Sequence, residues 1–233
     1  MSAEPVLSLQ DVTFGYAPGD TLIDIDRFCV APGESVFLRG ASGTGKSTLL
    51  GLIGGILVPR SGRISLCGTD LTTLSGAKRD AARVDHLGII FQQFNLLPYL
   101  SVLGNAALPC RFSARRRRRL DMSPDTAARK LVTALGLTDR ELDRPVSELS
   151  VGQQQRVAVA RALIGGPDLI VADEPTSALD HDNRDRFITL LDAQRKRFGS
   201  SLLFVSHDAT LAGHFDRAVD MAELTGPEKA QAA

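Results

Sequence analysis

Cysteine is scarce in this 233-residue chain, limited to Cys29, Cys67 and Cys110. The three are odd in number, far apart and without metal-ligand spacing. That argues against a disulfide-stapled scaffold and for free thiols in a reducing compartment. Net charge is also lacking: Lys plus Arg number 27 and Asp plus Glu number 27, so no global field draws the chain to nucleic acid. Long apolar runs are missing, and none approaches the roughly 20 residues that a membrane span needs. The most apolar stretch, Leu49 to Val58, is short and interrupted by glycines, and reads as a helix buried on most sides. The opening residues Met1 to Pro5 have no basic segment and no apolar core, so a secretory signal is not expected. No internal repeat is found. A chain that is 43% hydrophobic can still build a sizeable core, as one large domain or two closely packed lobes.

What is present begins with Gly40-Ala41-Ser42-Gly43-Thr44-Gly45-Lys46-Ser47, which fits the phosphate-binding pattern G-x-x-x-x-G-K-[ST] at every fixed position. Ser35 to Leu38 before it reads as a buried strand, and Ser47 to Ile56 after it as a helix. The chemistry accounts for the residue types. Small residues let the backbone curl around a polyphosphate so that successive N–H groups point inward. The helix start adds its positive dipole end. Lys46 can reach the outer phosphates as a point charge, and the Ser47 hydroxyl can coordinate the accompanying magnesium.

Strand-like and helix-like segments alternate along the chain, which argues for an α/β layered fold. Val6 to Tyr16 and Leu22 to Val30 read as strands joined by the turn Ala17 to Asp20, hence antiparallel. Gly62 to Cys67 and Leu87 to Phe91 are further short strands. Leu169 to Ala172 and Leu202 to Val205 are continuously apolar and end in polar residues, as central parallel strands do when both faces are covered. Leu100 to Gly166 shows helical spacing, as in Ala127, Ala128, Leu131, Val132 and Leu135, and reads as a helical insertion. Thr225 to Ala233 reads as a frayed tail. Asp173 and Glu174 lie at the end of the strand 169–172. Two acids beside bound phosphates suit a magnesium held by Asp173 and a water oriented or deprotonated by Glu174.

Further features follow in a fixed order: Tyr16, Gln92 after the strand 87–91, Leu149-Ser150-Val151-Gly152-Gln153 before a helix from Gln154 to Leu163, Ser177-Ala178-Leu179-Asp180, and His207 after the strand 202–205. With the phosphate loop and the acid pair they make up seven motifs whose order and spacing resemble the ATP-binding subunit of ABC transporters, over about Val6 to Leu224. The resemblance implies a P-loop NTPase core with a mainly parallel central sheet, an N-terminal antiparallel β region and an inserted helical subdomain. The core would comprise residues 1–99 and 167–224, the helical subdomain about 100–166, and the flexible tail 225–233. It implies ATP and Mg2+ as ligands, with Gly40 to Thr48 on the phosphates and Tyr16 stacked on adenine. Gln92 would sense magnesium and the attacking water, and His207 would touch the γ-phosphate. Ser150, Gly152 and Gln153 would contact nucleotide held by a second copy of the chain, with Asp180 acting across that interface.

Within the family, Phe91 to Pro98, Ala172 to Thr176 and the short stretch after His207 are similar to the lipoprotein-releasing, macrolide-exporter and glycolipid-exporter group. The implied role is export or extraction through a membrane permease, on the cytoplasmic face of the inner membrane. A force-transmitting ATPase of the cell-division type or an importer ATPase would carry the same motifs. Val151 departs from the usual glycine, with activity expected to survive. Phe94 to Tyr99 is expected either in the groove that receives the permease or packed between lobes. Arg115 to Arg119 reads as a solvated connection or, alternatively, as a contact to anionic lipid headgroups. No aromatic platform flanks the run, so nucleic acid is not an expected partner.

Overall fold

The computed structural model describes residues 4–41, 43–177, 179 and 181–225, with residues 181–183 described through their backbone alone. The chain opens with β1 (Leu7–Phe14), β2 (Ile23–Val30), β3 (Ser35–Arg39) and α1 (Lys46–Ile53). After β4 (Ser61–Leu66) and β5 (Thr69–Asp70) come α2 (Gly76–His86) and β6 (Leu87–Ile90). Helices α3 (Val102–Phe112), α4 (Ala114–Arg118), α5 (Pro124–Ala134), α6 (Asp139–Leu142) and α7 (Val151–Leu163) follow without a strand among them. The chain then returns through β7 (Leu169–Asp173), α8 (His181–Phe198), β8 (Ser201–Ser206), β9 (Arg217–Asp220) and α9 (Met221–Thr225).

Two sheets carry the strands. The antiparallel sheet has the order β2-β1-β4-β5, and the five-stranded sheet has the order β6-β7-β8-β3-β9 with every neighbouring pair parallel. The central strands read as unbroken apolar runs because each face meets a different core. Phe37, Ile170, Ala172, Leu202 and Phe204 join a cluster with α3, α5, α7 and α8. Their alternates Val36, Leu38, Leu169, Val171, Leu203 and Val205 join a second cluster with α1 and the antiparallel sheet. The two-residue period of a strand is therefore present but hidden, since neither face is wet.

In β1 the period shows a phase change. Leu7 and Leu9 are buried, and so is Val12. The shift falls at a bulge between Gln10 and Thr13, where Asp11 has φ 51°. One extra residue inverts the inward side of the strand. The turn Ala17 to Asp20 closes with the Asp20 N–H on the Ala17 carbonyl at 3.1 Å.

Several element ends differ from the sequence expectation. Tyr16 lies beyond β1 rather than within it. Helix α1 stops at Ile53 rather than Ile56, capped by Gly54, so Ile56 and Val58 are exposed. Helix α7 starts at Val151 rather than Gln154, because Ser150 and Gln153 form a reciprocal capping box there. Thr225, expected in a frayed tail, is buried and donates its hydroxyl to the Met221 carbonyl at 3.0 Å.

The arginine run is only partly solvated: Arg117, Arg118 and Arg119 are exposed and Arg116 is not. It forms α4, whose Arg116 is 1% exposed and donates to the carbonyls of Val84 at 2.8 Å, Ala162 at 3.2 Å, Ile164 at 3.0 Å and also Leu87. Burial pulls this guanidinium down to about 10, so it stays charged at neutral pH. Arg115 and Arg119 pair with Asp168, which also bonds His86 Nδ1 at 2.7 Å. Arg117 donates to the Cys110 carbonyl at 2.8 Å, while Arg118 is exposed. Burial pushes the Asp168 carboxyl up, but the bonds from His86, Arg119 and Arg115 outweigh it and hold it well below the usual range. Cys67, His86 and Asp168 bring one possible ligand atom each within 4.8 Å of one another. Two guanidinium charges already saturate Asp168, however, and oppose a further dication. The group is an anchor between the helical lobe and the sheets.

Candidate active site

The site is built where β3, β7 and β8 end on the same side of the parallel sheet, as their parallel pairing requires. The loop from β3 to α1 needs left-handed backbone at Gly43 (φ 84°) and Gly45 (φ 89°), which glycine adopts without a Cβ penalty. Thr44 braces it, its hydroxyl donating to the Ala41 carbonyl at 2.9 Å. Lys46 opens α1 and is buried. Its Nζ donates to the Gly40 carbonyl at 2.6 Å and the Ala41 carbonyl at 3.1 Å, and lies 3.2 Å from Glu174 Oε1. Ser47 is exposed in the first turn of α1. Thr48 is buried, and its Oγ1 lies 3.0 Å from the Tyr16 hydroxyl. The Tyr16 ring stands edge-on to Phe14, with centroids 5.1 Å apart, and is 68% exposed. Tyr16 thus sits against the helix that follows the phosphate loop.

Asp173 is the last residue of β7. Burial and the neighbouring Glu174 charge push its carboxyl above the usual aspartate range, against the opposing pull of Lys46. Glu174 follows with φ 43°, its N–H tied to the Val205 carbonyl at 2.9 Å. That turn sends the carboxylate between two cationic-capable groups: Oε1 faces Lys46, and Oε2 lies 2.6 Å from His207 Nδ1. His207 follows β8 and is largely exposed. Lys46, Glu174 and His207 therefore converge from three different elements, with Asp173 next to Glu174 in the chain.

Gln92 lies just beyond β6, exposed, at the strand next to β7. Ser150 and Gly152 lie at the start of α7. Gly152 and Val151 are exposed there, and nothing stands within 4 Å of a Cβ placed on Gly152. Gln153 also braces this helix start. Its Oε1 accepts from the Ser150 N–H at 2.9 Å and its Nε2 donates to Glu141 at 3.0 Å, so both ends of the amide are used inside the chain to hold the helix start. Ser42 and Asp180, also expected at the site, lie outside the described residues.

Sequence reasoning missed two buried polar residues on α7. Gln155 Nε2 donates to the Pro175 carbonyl at 2.8 Å. Arg161 donates to the carbonyls of Asn95 (2.6 Å) and Phe94, both residues with left-handed φ. The available signal was a long polar side chain on a helix otherwise closed in by apolar residues, which requires a buried partner. Phe94 is buried with its backbone bound to α7, in keeping with the packed alternative for that residue, and a groove nearby is lined by Phe91, Leu108, Pro109 and Phe112.

A phosphate loop on a parallel sheet, an acid pair at the next strand end and a helical lobe define a nucleotide-hydrolysing ATPase of the P-loop class. The family model described as "ABC transporter" matches residues 23–177, more than half of the chain. The chain is 40% identical over 224 residues to the lipoprotein-releasing system ATP-binding protein LolD of Novosphingobium aromaticivorans, covering 95% of this chain and 98% of that protein. It is 40% identical over 231 residues to the macrolide export ATP-binding/permease protein MacB of Rhodopseudomonas palustris, covering 94% of this chain and 34% of that longer protein. Among solved structures, the ATP-binding cassette MJ0796, a dimer in a post-hydrolysis state bound to ADP and Pi, superposes with TM-score 0.81 at 33% identity, covering 92% of this chain and 93% of that one. This protein belongs to the ABC transporter family and is an ATP-binding, ATP-hydrolysing subunit.

Proposed function

We propose that two copies of this chain close head to tail on ATP and that the pair drives export or extraction of a substrate through a partner membrane permease. The observation that carries the reading is the Glu174 carboxylate held between Lys46 and His207 at the end of β7. In this reading Gly40 to Thr48 cradle the phosphates with backbone N–H groups, and Lys46 meets the outer phosphate. Tyr16 presents its exposed ring to the adenine. Glu174 accepts the proton of the attacking water as general base, with His207 orienting its carboxylate and reaching toward the γ-phosphate. Asp173, Ser47 and Gln92 would hold magnesium, whose charge neutralises phosphate oxygens when bound. The fit rests on Asp173, whose half-buried carboxyl beside a second carboxylate is a place a dication stabilises.

Residues 1–99 and 167–224 serve as the nucleotide core, and 100–166 as the helical subdomain that presents Ser150 and Gly152 to nucleotide on the second copy. The exposed start of α7 supports this, since a helix N-terminus with free N–H groups suits a phosphate. Among the described residues no helix is long and apolar enough to cross a membrane. The groove of about 250 Å³ lined by Phe91, Leu108, Pro109 and the exposed Phe112 is where the permease would dock, on the cytoplasmic face. The names of the macrolide-export and lipoprotein-releasing relatives support the outward direction.

The test is capture of the partner. A tagged Glu174→Gln variant with ATP and magnesium is purified from detergent-solubilised membranes of its own host, and co-purifying proteins are identified by mass spectrometry. The expected outcome is a permease with few spans and a large outer domain, together with turnover lowered by about 10²-fold or more, as follows from loss of a general base. A many-span permease with a solute-binding protein would overturn export in favour of import. Normal hydrolysis by the variant would remove Glu174 from its role.

A further inference from the structure

Helix α7 holds both loops that carry the proposed active-site residues on either side of it. Through Arg161 it holds the backbone of Phe94 and Asn95, just after Gln92. Through Gln155 it holds the carbonyl of Pro175, the residue that follows Glu174. Gln155 is only 4% exposed, so its amide has no water to exchange for that acceptor. The same helix begins at Ser150, whose cap is pinned by Gln153 and, beyond it, by Glu141. Glu141 is itself tied to the Thr138 N–H and hydroxyl, both at 2.6 Å. The start of α7 is exposed and braced while its middle grips the Glu174 turn. One element therefore spans the surface that faces a second copy and the backbone that aims the general base.

We propose that Gln155 is a positioning residue for hydrolysis, fixing the Glu174 turn through the Pro175 carbonyl so that the placement of α7 sets how Glu174 is aimed. The backbone at Glu174 lies at φ 43°, a conformation that neighbouring contacts must hold. Three backbone contacts are visible: the Glu174 N–H on the Val205 carbonyl, the Ser177 N–H on the Glu174 carbonyl at 3.2 Å, and Gln155 on the Pro175 carbonyl, the one supplied by a side chain of α7. Without the Gln155 donor the Pro175 carbonyl is a buried acceptor with no partner, and the turn relaxes to recover one. Within one copy, nucleotide binding rests on the loop from Gly40 to Thr48 and on Tyr16, and among the described residues Gln155 has no hydrogen bond to either. The consequence is separation of the kinetic parameters. Losing the Gln155 donor lowers kcat and leaves the KM for ATP unchanged.

This deepens the reading above and rests on it for the role of Glu174. The test uses the full chain with ATP and magnesium and compares two variants. Gln155→Met keeps length and shape but has no donor; Gln155→Lys keeps a donor of similar reach. Expected for Gln155→Met is a kcat lowered about tenfold, the rate change that matches one lost buried hydrogen bond, with KM within about twofold. Gln155→Lys is expected to recover most of that loss. Unchanged kcat in Gln155→Met overturns the proposal, as does an equal loss in both variants or a loss confined to KM. Melting temperatures are measured alongside, and a kcat loss accounted for by the unfolded fraction also overturns it. Hydrolysis by Glu174→Gln, measured in parallel, separates the two ideas. If that variant turns over normally the role of Glu174 fails, whatever the Gln155 variants do.

Discussion

Asp173 and Glu174 are adjacent acids with different surroundings. Glu174 faces two partners, Lys46 and His207, whereas Asp173 is pushed above the usual aspartate range by burial and by Glu174 itself. A raised acid pKa in the folded chain means that folding favours the protonated form. The benefit is complete below the ordinary aspartate range and is lost as pH rises through the raised value. Asp173→Asn, which never ionises, should therefore melt higher than the parent chain at pH 7 in the absence of nucleotide, with the gap closing toward pH 4. Thermal melts across that range measure it, and a gap that widens toward acid would reverse the assignment. The same substitution should abolish magnesium-dependent turnover. A gain in stability with loss of activity is what a group placed for a dication is expected to show.

Among the elements, α4 is the one whose composition misleads. Five arginines in sequence suggest mutual repulsion and solvent, yet Arg116 is the hub of a buried set of carbonyls at the ends of α2 and α7 and the start of β6. The close approach requires Gly165, at φ 69°, where a Cβ would stand 2.6 Å from the Arg116 Cβ. Arg116→Met should lower stability by about 3 kcal/mol, because several buried carbonyls lose their donor together. Arg118→Ala, on the exposed side, should change it by less than about 0.5 kcal/mol. Denaturant titration of the two variants distinguishes a structural staple from a surface patch, for which the two substitutions would cost alike.

At the scale of the whole molecule, the two sheets enclose α1 and the helical lobe reaches back to the catalytic edge through α7. Ser150, Val151 and Gly152 stand on the surface, with Val151 54% exposed. The side chain that stands where glycine is usual is therefore more than half exposed, and its effect is to be read in the proposed dimer. In the Glu174→Gln background, ATP should convert the chain from monomer to dimer in size-exclusion chromatography with light scattering. Adding Ser150→Arg should block that conversion while leaving ATP affinity unchanged, because on the proposed reading a bulky side chain replaces the small cap that meets the second nucleotide. Loss of ATP affinity in that variant would mean that Ser150 acts within its own subunit.

The phosphate loop, the acid pair, the central strands and the insertion of helices were legible in the amino-acid sequence, because each is a local pattern. Glycines at fixed spacing, apolar runs ending in polar residues and 3.6-residue periodicity are legible within a dozen residues. The sequence also carried the family resemblance that the comparisons bear out. The tertiary structure alone decided the strand order β6-β7-β8-β3-β9, the phase change in β1, the burial of Arg116 and the capping duty of Gln153. It alone paired Gln155 with Pro175 and Arg161 with the loop after Gln92. The physical reason is common to all of these. A backbone carbonyl looks the same at every position in a sequence, so which carbonyl a buried amide or guanidinium must satisfy is set only when the chain brings distant segments together and excludes water between them.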